Sequence, residues 1–223
     1  MISVGLVTSS RADFGYYRPL LDRIQDEPKI TCRLIVTGAH LAAEYGNSVE
    51  EIDAAGYEIG VRVASFSGDD TPFGIAQNMS KGVSGFADLF EGWRPDLLIV
   101  FGDRHDMFPA VLAALPFQIP VAHIAGGEVT EGAIDDALRH SITKLSHLHF
   151  VSTEIYRDRV LKMGEEPQRV VISGSLAIDA IVCVELMSTD ELTKTFGFDA
   201  TKPFSLATFH PVTLEADETE MHI

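Results

Sequence analysis

The chain has 223 residues, of which 46% are hydrophobic and 22% charged, which is enough apolar material for a folded domain and part of a second. Its formal net charge of -16 leaves no basic face for a nucleic acid, so any bound phosphate must be held by local arginines and backbone N–H groups. The two cysteines, Cys32 and Cys183, lie far apart and form neither a disulfide framework nor a zinc site. The N-terminus reads MISVGLVTSSRADFG and lacks a basic leader with a long apolar core. No apolar run reaches the length of a membrane span. These features predict a cytoplasmic protein that engages no membrane.

Strand-like and helix-like segments alternate along the chain. Strands are expected at Ile2–Thr8, Cys32–Thr37, within Glu58–Phe66, and at Leu97–Phe101, Pro120–Ile124, His147–Val151 and Val170–Ser173. Helices are expected around Tyr16–Ile24, Ser48–Ala55, Phe73–Trp93, Met107–Leu115 and Asp135–Leu145. The alternation implies an α/β fold with a doubly wound, parallel, Rossmann-like sheet. A shift near residue 175 divides the chain into a domain over 1–174 and the start of a second, incomplete domain over 175–223. A helix at Ala177–Leu186 and a strand at Pro203–Phe209 are expected there.

Ligands of such sheets bind beyond the carboxyl ends of the strands, which gives the loops there special weight. The first, SSRADFG, lacks the glycine pattern of a dinucleotide fingerprint but offers Arg11 to a phosphate, unless Arg11 simply pairs with Asp13. Asp103 and Arg104 follow the central strand through Gly102. A functional charge pair is one reading, and a helix cap by the aspartate is the other. The densest cluster holds Glu128, Glu131, Asp135, Asp136, Arg139 and His140, after a sharp turn at Gly126 and Gly127. Asp135 with Arg139, and Asp136 with His140, stand four residues apart on one helix face. Crowded carboxylates drive their pKa values apart and so provide an acid and a base. His210 ends the last strand. It shares no ligand spacing with His123 or His140, so no metal is expected. His40 with Tyr45, and His147 with His149, also admit a plain packing role.

The segments RADFG, TGAHLAAEYGNS, FGDRHD, HIAGGEVTEGAIDDALRHSITKLSHLHFV and ATFHPVT closely resemble the hydrolysing UDP-N-acetylglucosamine 2-epimerases, over essentially the whole chain. That family makes aminosugar precursors of sialic, legionaminic and related nonulosonic acids. The resemblance implies two Rossmann-like domains in the manner of B-type glycosyltransferases, with a UDP-sugar in the cleft between them. It also implies a reaction without metal or redox cofactor. A carboxylate removes the C2 proton as UDP departs, and water then adds across the resulting glycal.

Carried over by position, Asp103 and Asp135 match the acid/base residues. Arg11 and Arg104 would hold the nucleotide and its diphosphate, and His210 would reach the sugar. His40, His123, Arg139 and His140 complete the expected substrate-binding set. Some relatives carry a catalytic glutamate where this chain has Ala125, so Glu128 or Glu131 is expected to take that role, or the sugar differs, as a UDP-2,4-diacetamido-trideoxyhexose would. Family members carry a complete second domain, and a homo-oligomer is expected. The rival readings are a non-hydrolysing epimerase, a glycosyltransferase, and an inactive nucleotide-sugar-binding or assembly module.

Overall fold

The structure is a computed structural model that describes residues 1–43, 46, 48–209 and 219–222. Its centre is a seven-stranded sheet: β1 (Ile2–Thr8), β2 (Ile30–Thr37), β3 (Ile59–Val63), β4 (Leu97–Phe101), β5 (Val121–Ile124), β6 (Leu148–Val151) and β7 (Val170–Ile172). The order is β3-β2-β1-β4-β5-β6-β7 and every pairing is parallel. The expected doubly wound α/β sheet is thus present. Its order reverses between β1 and β4, which opens a crevice at their carboxyl ends.

Burial explains why these segments are strands. In β1 every residue from Val4 to Thr8 is buried, and β5 is buried throughout, as a central parallel strand covered on both faces requires. On one face, α1 (Arg11–Gln25) and α2 (Val49–Ala54) lay Phe14, Tyr17, Leu21 and Ile52 over Leu6, Leu34 and Val36. On the other, α3 (Pro72–Gly92), α4 (Phe108–Ala114) and α5 (Asp135–Leu145) bury Phe86, Phe90, Val111 and Ile142 over Val7, Leu98 and Val100. A small third cluster seats α6 (Glu154–Lys162) through Val160 on Val151 and Val170.

After β7 the pattern changes. Helix α7 (Leu176–Cys183) returns across the first face, where Leu176 packs on the α1 cluster. Helix α8 (Thr189–Phe196) is fixed by a capping box between Ser188 and Glu191. A short α9 (Thr219–His222) closes the described chain. The strand expected at Pro203–Phe209 is not formed. All seven residues are exposed, with no sheet neighbour among the described residues, and an apolar run without a ladder partner has nothing to hold it extended. The helix expected to reach Leu186 ends at Cys183, because Val184 already has extended backbone.

Candidate active site

The loops beyond the strand ends form two adjoining groups. The first surrounds the crevice between β1 and β4. Ser9 and Asp13 are buried, and Asp13 accepts from the Ser9 amide at 3.1 Å and the Ser9 hydroxyl at 2.7 Å. The serine-aspartate bonds fix the start of α1 and leave Arg11 pointing outward. Arg11 pairs with Glu51 at 2.7 Å, not with Asp13 as the simpler reading of the loop had it. That pair is more than half exposed, so a ligand anion can displace it at small cost.

Ser10, Arg11, Ser48, Arg104 and His105 line a cavity of about 390 Å³. Beside it the backbone approaches closely: Gly38, directly after β2, has φ +58, and a Cβ there would stand 2.8 Å from the carboxyl carbon of the buried Asp106. Arg104 lies 3.4 Å from Asp106, which anchors one side of its guanidinium while much of the side chain stays open.

The second group lies one residue back along the β4 loop. Gly102 adopts φ +74, which turns Asp103 toward α5 while Arg104 faces the cavity. Asp103 does not cap the following helix: α4 begins after Met107 with no side-chain cap. Asp103 instead forms an ion pair with Arg139 and accepts from the Thr130 hydroxyl at 3.3 Å. Arg139 also donates to the Thr130 hydroxyl at 3.2 Å and sits 3.6 Å from Glu128. The Arg139 side chain is 8% exposed, so it holds both carboxylates from below, at an interior site where charge pairing is strong. Glu128 receives a further bond from Ser152 at 3.0 Å. Its loop is held where Arg159 donates to the Gly127 carbonyl.

This arrangement corrects the local pairing suggested by spacing. Arg139 turns to Asp103 and Glu128 and not to Asp135. Asp136 does meet His140, at 3.7 Å, and also accepts from the Thr130 amide at 3.0 Å. Neither aspartate is the helix cap, because Ile134 holds that position. Asp135 stands half-buried in the first turn of α5, and Glu131 is exposed on the loop before it.

The histidines separate by burial. His40 is fully buried, with Thr8 Oγ1 at 2.9 Å and Ser48 Oγ at 2.8 Å on its two ring nitrogens. Burial, with Arg104 and Arg11 nearby and Glu51 opposing them, lowers its pKa to about 4. His123 is fully buried between the Gly102 carbonyl at 2.8 Å and Thr143 Oγ1 at 3.1 Å. Its pKa falls to about 3, chiefly from burial and against the Gly102 bond, with His149, Arg139 and His140 adding to the fall. With both ring nitrogens engaged inside the protein, His40 takes the packing role that was open to it, and neither His40 nor His123 keeps a ring nitrogen for the substrate contact expected of them. His140 remains half-exposed beside Asp136. His147 Nδ1 accepts from the Val121 amide at 3.3 Å, and His149 is buried against Glu165 at 3.1 Å. His210 and Tyr45 lie outside the described residues.

Thr130, Thr143, Ser152 and Asp106 belong to the site's framework and carried no signal of their own in the sequence. Only their short distance from charged loops could have marked them. Among the described residues no group of three or more His, Cys, Asp or Glu could hold a metal ion, and no helix is long and apolar enough to cross a membrane.

Comparison with known proteins identifies the family and agrees with the fold. A family model described as UDP-N-acetylglucosamine 2-epimerase matches residues 22–223. A GDP/UDP-N,N'-diacetylbacillosamine 2-epimerase (hydrolyzing) of Campylobacter jejuni is 38% identical over 98% of this chain and 56% of its own length. A UDP-N,N'-diacetylbacillosamine 2-epimerase (hydrolyzing) of Legionella pneumophila is 36% identical over 96% of this chain and 57% of its own. The chain thus spans about half the length of the curated relatives it matches.

Among solved structures, the Neisseria meningitidis UDP-GlcNAc 2-epimerase bound to UDP-GlcNAc superposes with a TM-score of 0.72 at 23% identity, over 81% of this chain and 48% of that one. A lipopolysaccharide outer core galactosyltransferase shares the fold more distantly, at a TM-score of 0.52 and 13% identity, over 78% of this chain and 45% of that one. By fold, by sequence and by the extent of the match, the chain belongs to the UDP-N-acetylglucosamine 2-epimerase family.

Proposed function

We propose that the full-length protein is a hydrolysing 2-epimerase that converts a UDP-2-acetamido sugar to the free 2-epimeric sugar and UDP. The observation that carries this reading is the placement of Asp103 and Glu128 on one buried guanidinium, beside a cavity edged by Arg11 and Arg104. Removal of the C2 proton requires a positioned base, and the departing diphosphate requires cations. In the reaction a carboxylate takes the C2 proton while the C1–O bond to UDP breaks, leaving a C1=C2 double bond. Water then adds its oxygen to C1, and an acid returns a proton to the opposite face of C2.

Asp103 and Asp135 are assigned to these proton transfers, with Arg11 and Arg104 on the diphosphate. Glu128 is the better replacement for the glutamate that some relatives carry at the Ala125 position. It is held beside Asp103 through Arg139, whereas Glu131 faces solvent. His210 is assigned to the sugar from the second domain, which begins within residues 175–223.

The Campylobacter and Legionella relatives favour a 2,4-diacetamido-trideoxyhexose as the sugar, with UDP-N-acetylglucosamine as the alternative. The product would then be a precursor for nonulosonic acids such as legionaminic or sialic acid. Free thiols at Cys32 and Cys183 support a cytoplasmic location. Exposed Ile181, Val182, Leu186 and Phe204 give the region from α7 onward an apolar surface that suits packing within a larger assembly, including a homo-oligomer.

The test is to incubate full-length protein with each UDP-sugar and separate free sugar from nucleotide-linked sugar. Free 2-epimer with one UDP per turnover is expected. Accumulation of the UDP-linked epimer alone would establish the non-hydrolysing reaction instead, and absence of turnover would leave the binding module.

A further inference from the structure

The two groups that meet in the Asp103–Arg139 pair come from separate elements, the loop after β4 and the helix α5. One imidazole joins those elements beneath the pair. His123 Nε2 lies 2.8 Å from the carbonyl of Gly102, the residue immediately before Asp103. Its Nδ1 lies 3.1 Å from the hydroxyl of Thr143, one helical turn beyond Arg139 on α5. Gly126 covers this junction, since a Cβ there would stand 3.0 Å from His123 Nδ1 and 3.1 Å from Thr143 Oγ1.

We infer that His123 is a positioning residue for the proposed reaction. Held in the tautomer with hydrogen on Nε2, it fixes the β4 loop against α5 and thereby sets the geometry of Asp103 on Arg139. The inference rests on the assignment of Asp103 to proton transfer.

The tautomer follows from the partners. A carbonyl oxygen only accepts, so Nε2 must carry the hydrogen. A neutral ring then has a bare Nδ1, which faces the Thr143 hydroxyl as an acceptor at 3.1 Å. The single hydrogen of that hydroxyl is shared between Nδ1 and the Arg139 carbonyl at 3.0 Å, whose second lone pair is free of the helix ladder, so the contact ties the ring to the turn that carries Arg139. A charged ring would place a cation in the interior beside Arg139, and burial opposes it. One ring therefore holds two elements with directional bonds at both ends, where an apolar residue would hold them by shape alone.

The consequence is kinetic. A base displaced by a fraction of an ångström loses alignment with the C2–H bond in the transition state, while ground-state contacts to the nucleotide persist.

Three variants of the full-length protein test this. His123→Phe keeps the ring shape and removes both bonds. His123→Gln brings an amide N–H to the Nε2 position and can restore the bond to Gly102. His123→Asn reaches only the Nδ1 position. The expected result is a kcat lowered about tenfold to a hundredfold in His123→Phe and His123→Asn, with KM within about twofold of wild type, and substantial recovery in His123→Gln. Wild-type kcat in folded His123→Phe, or a change confined to KM, would overturn the proposal. If His123→Phe fails to fold, equal rates in His123→Gln and His123→Asn would overturn it.

Nitrogen-15 spectra of the 223-residue chain decide the structural half independently of activity. A neutral Nε2–H ring is expected, with the Arg139 guanidinium resonances displaced in His123→Asn and kept in His123→Gln. An Nδ1–H tautomer, or Arg139 resonances indifferent to both changes, would contradict it. Should wild-type protein turn over no UDP-sugar, the functional assignment fails while these spectra still settle the clamp.

Discussion

Asp103→Asn and Asp135→Asn, each made in the full-length protein, should lower kcat by about a hundredfold or more, the scale on which general acid–base groups contribute. The two substitutions differ in their structural cost. Asp103 is the anion of a pair whose arginine side chain is 8% exposed, so asparagine leaves Arg139 with only Glu128 nearby and Thr130 as a neutral partner. Some loss of stability is therefore expected alongside the loss of rate. Asp135 stands half-buried in the first turn of α5, and its replacement should leave the thermal midpoint almost unchanged. Rates compared on protein shown to be folded by circular dichroism separate chemistry from unfolding. Wild-type turnover in either folded variant would remove that residue from the proton-transfer role.

The chain should also lose stability steeply as pH falls below neutrality. His40 and His123 are neutral and buried, with pKa values lowered from 6.5 to about 4 and about 3, and His149 is lowered as well. An unfolded chain binds protons at these rings near 6.5, while the folded chain does not. Stability is therefore complete above 6.5, falls as pH drops below it, and levels off for His40 near 4 and for His123 near 3. By about pH 5 each of these two rings favours the unfolded state by on the order of 2 kcal/mol.

Charge repulsion works the other way, since a net charge of -16 relaxes as carboxylates protonate toward the pI of about 4.7. Those charges are mostly on the surface and screened by salt, so the histidines should dominate. Urea denaturation at about pH 7.5 and about pH 5 in 0.15 M salt measures the balance, with a clear fall in midpoint expected at the lower pH. A midpoint that holds steady or rises would show that the rings are not neutral and buried.

The strands and the loops that follow them were legible because parallel strands covered on both faces are short, apolar runs, and those at Leu97–Phe101 and Val121–Ile124 stand out on that ground. The position of Asp103 and of the GGEVTEGAIDD loop at the rim follows from the same alternation.

The partner of Arg139 was not legible. Spacing offered Asp135 one turn away, but the guanidinium reaches Asp103, 36 residues distant, because β4 and β5 are neighbours and their loops converge. The hydrogen-bond partners of His40 and His123 were equally hidden, since no local pattern tells which nitrogen of a ring will find a carbonyl or hydroxyl across the sheet. Helix α6 escaped notice because EIYRDRVLK buries only Val160 and so carries almost no apolar stripe. Helix α8 was not expected either, because it buries no residue and is held at its start by the capping box of Ser188 with Glu191. Phe204 and Leu206 suggested a strand by composition alone. In the structure Phe204 meets the edge of Phe198 and stays largely exposed.

In the proposed reaction a carboxylate at this rim removes the C2 proton, and water then replaces UDP at C1. Running the full-length protein on its UDP-sugar in deuterium oxide enriched in oxygen-18, then isolating the free sugar, tests both steps at once. Deuterium at C2 and oxygen-18 at C1, in the first product formed, are the expected result. Oxygen-16 retained at C1 would place the bond cleavage at phosphorus, and hydrogen retained at C2 would require transfer without exchange. Either outcome would contradict elimination and hydration at Asp103 and Asp135.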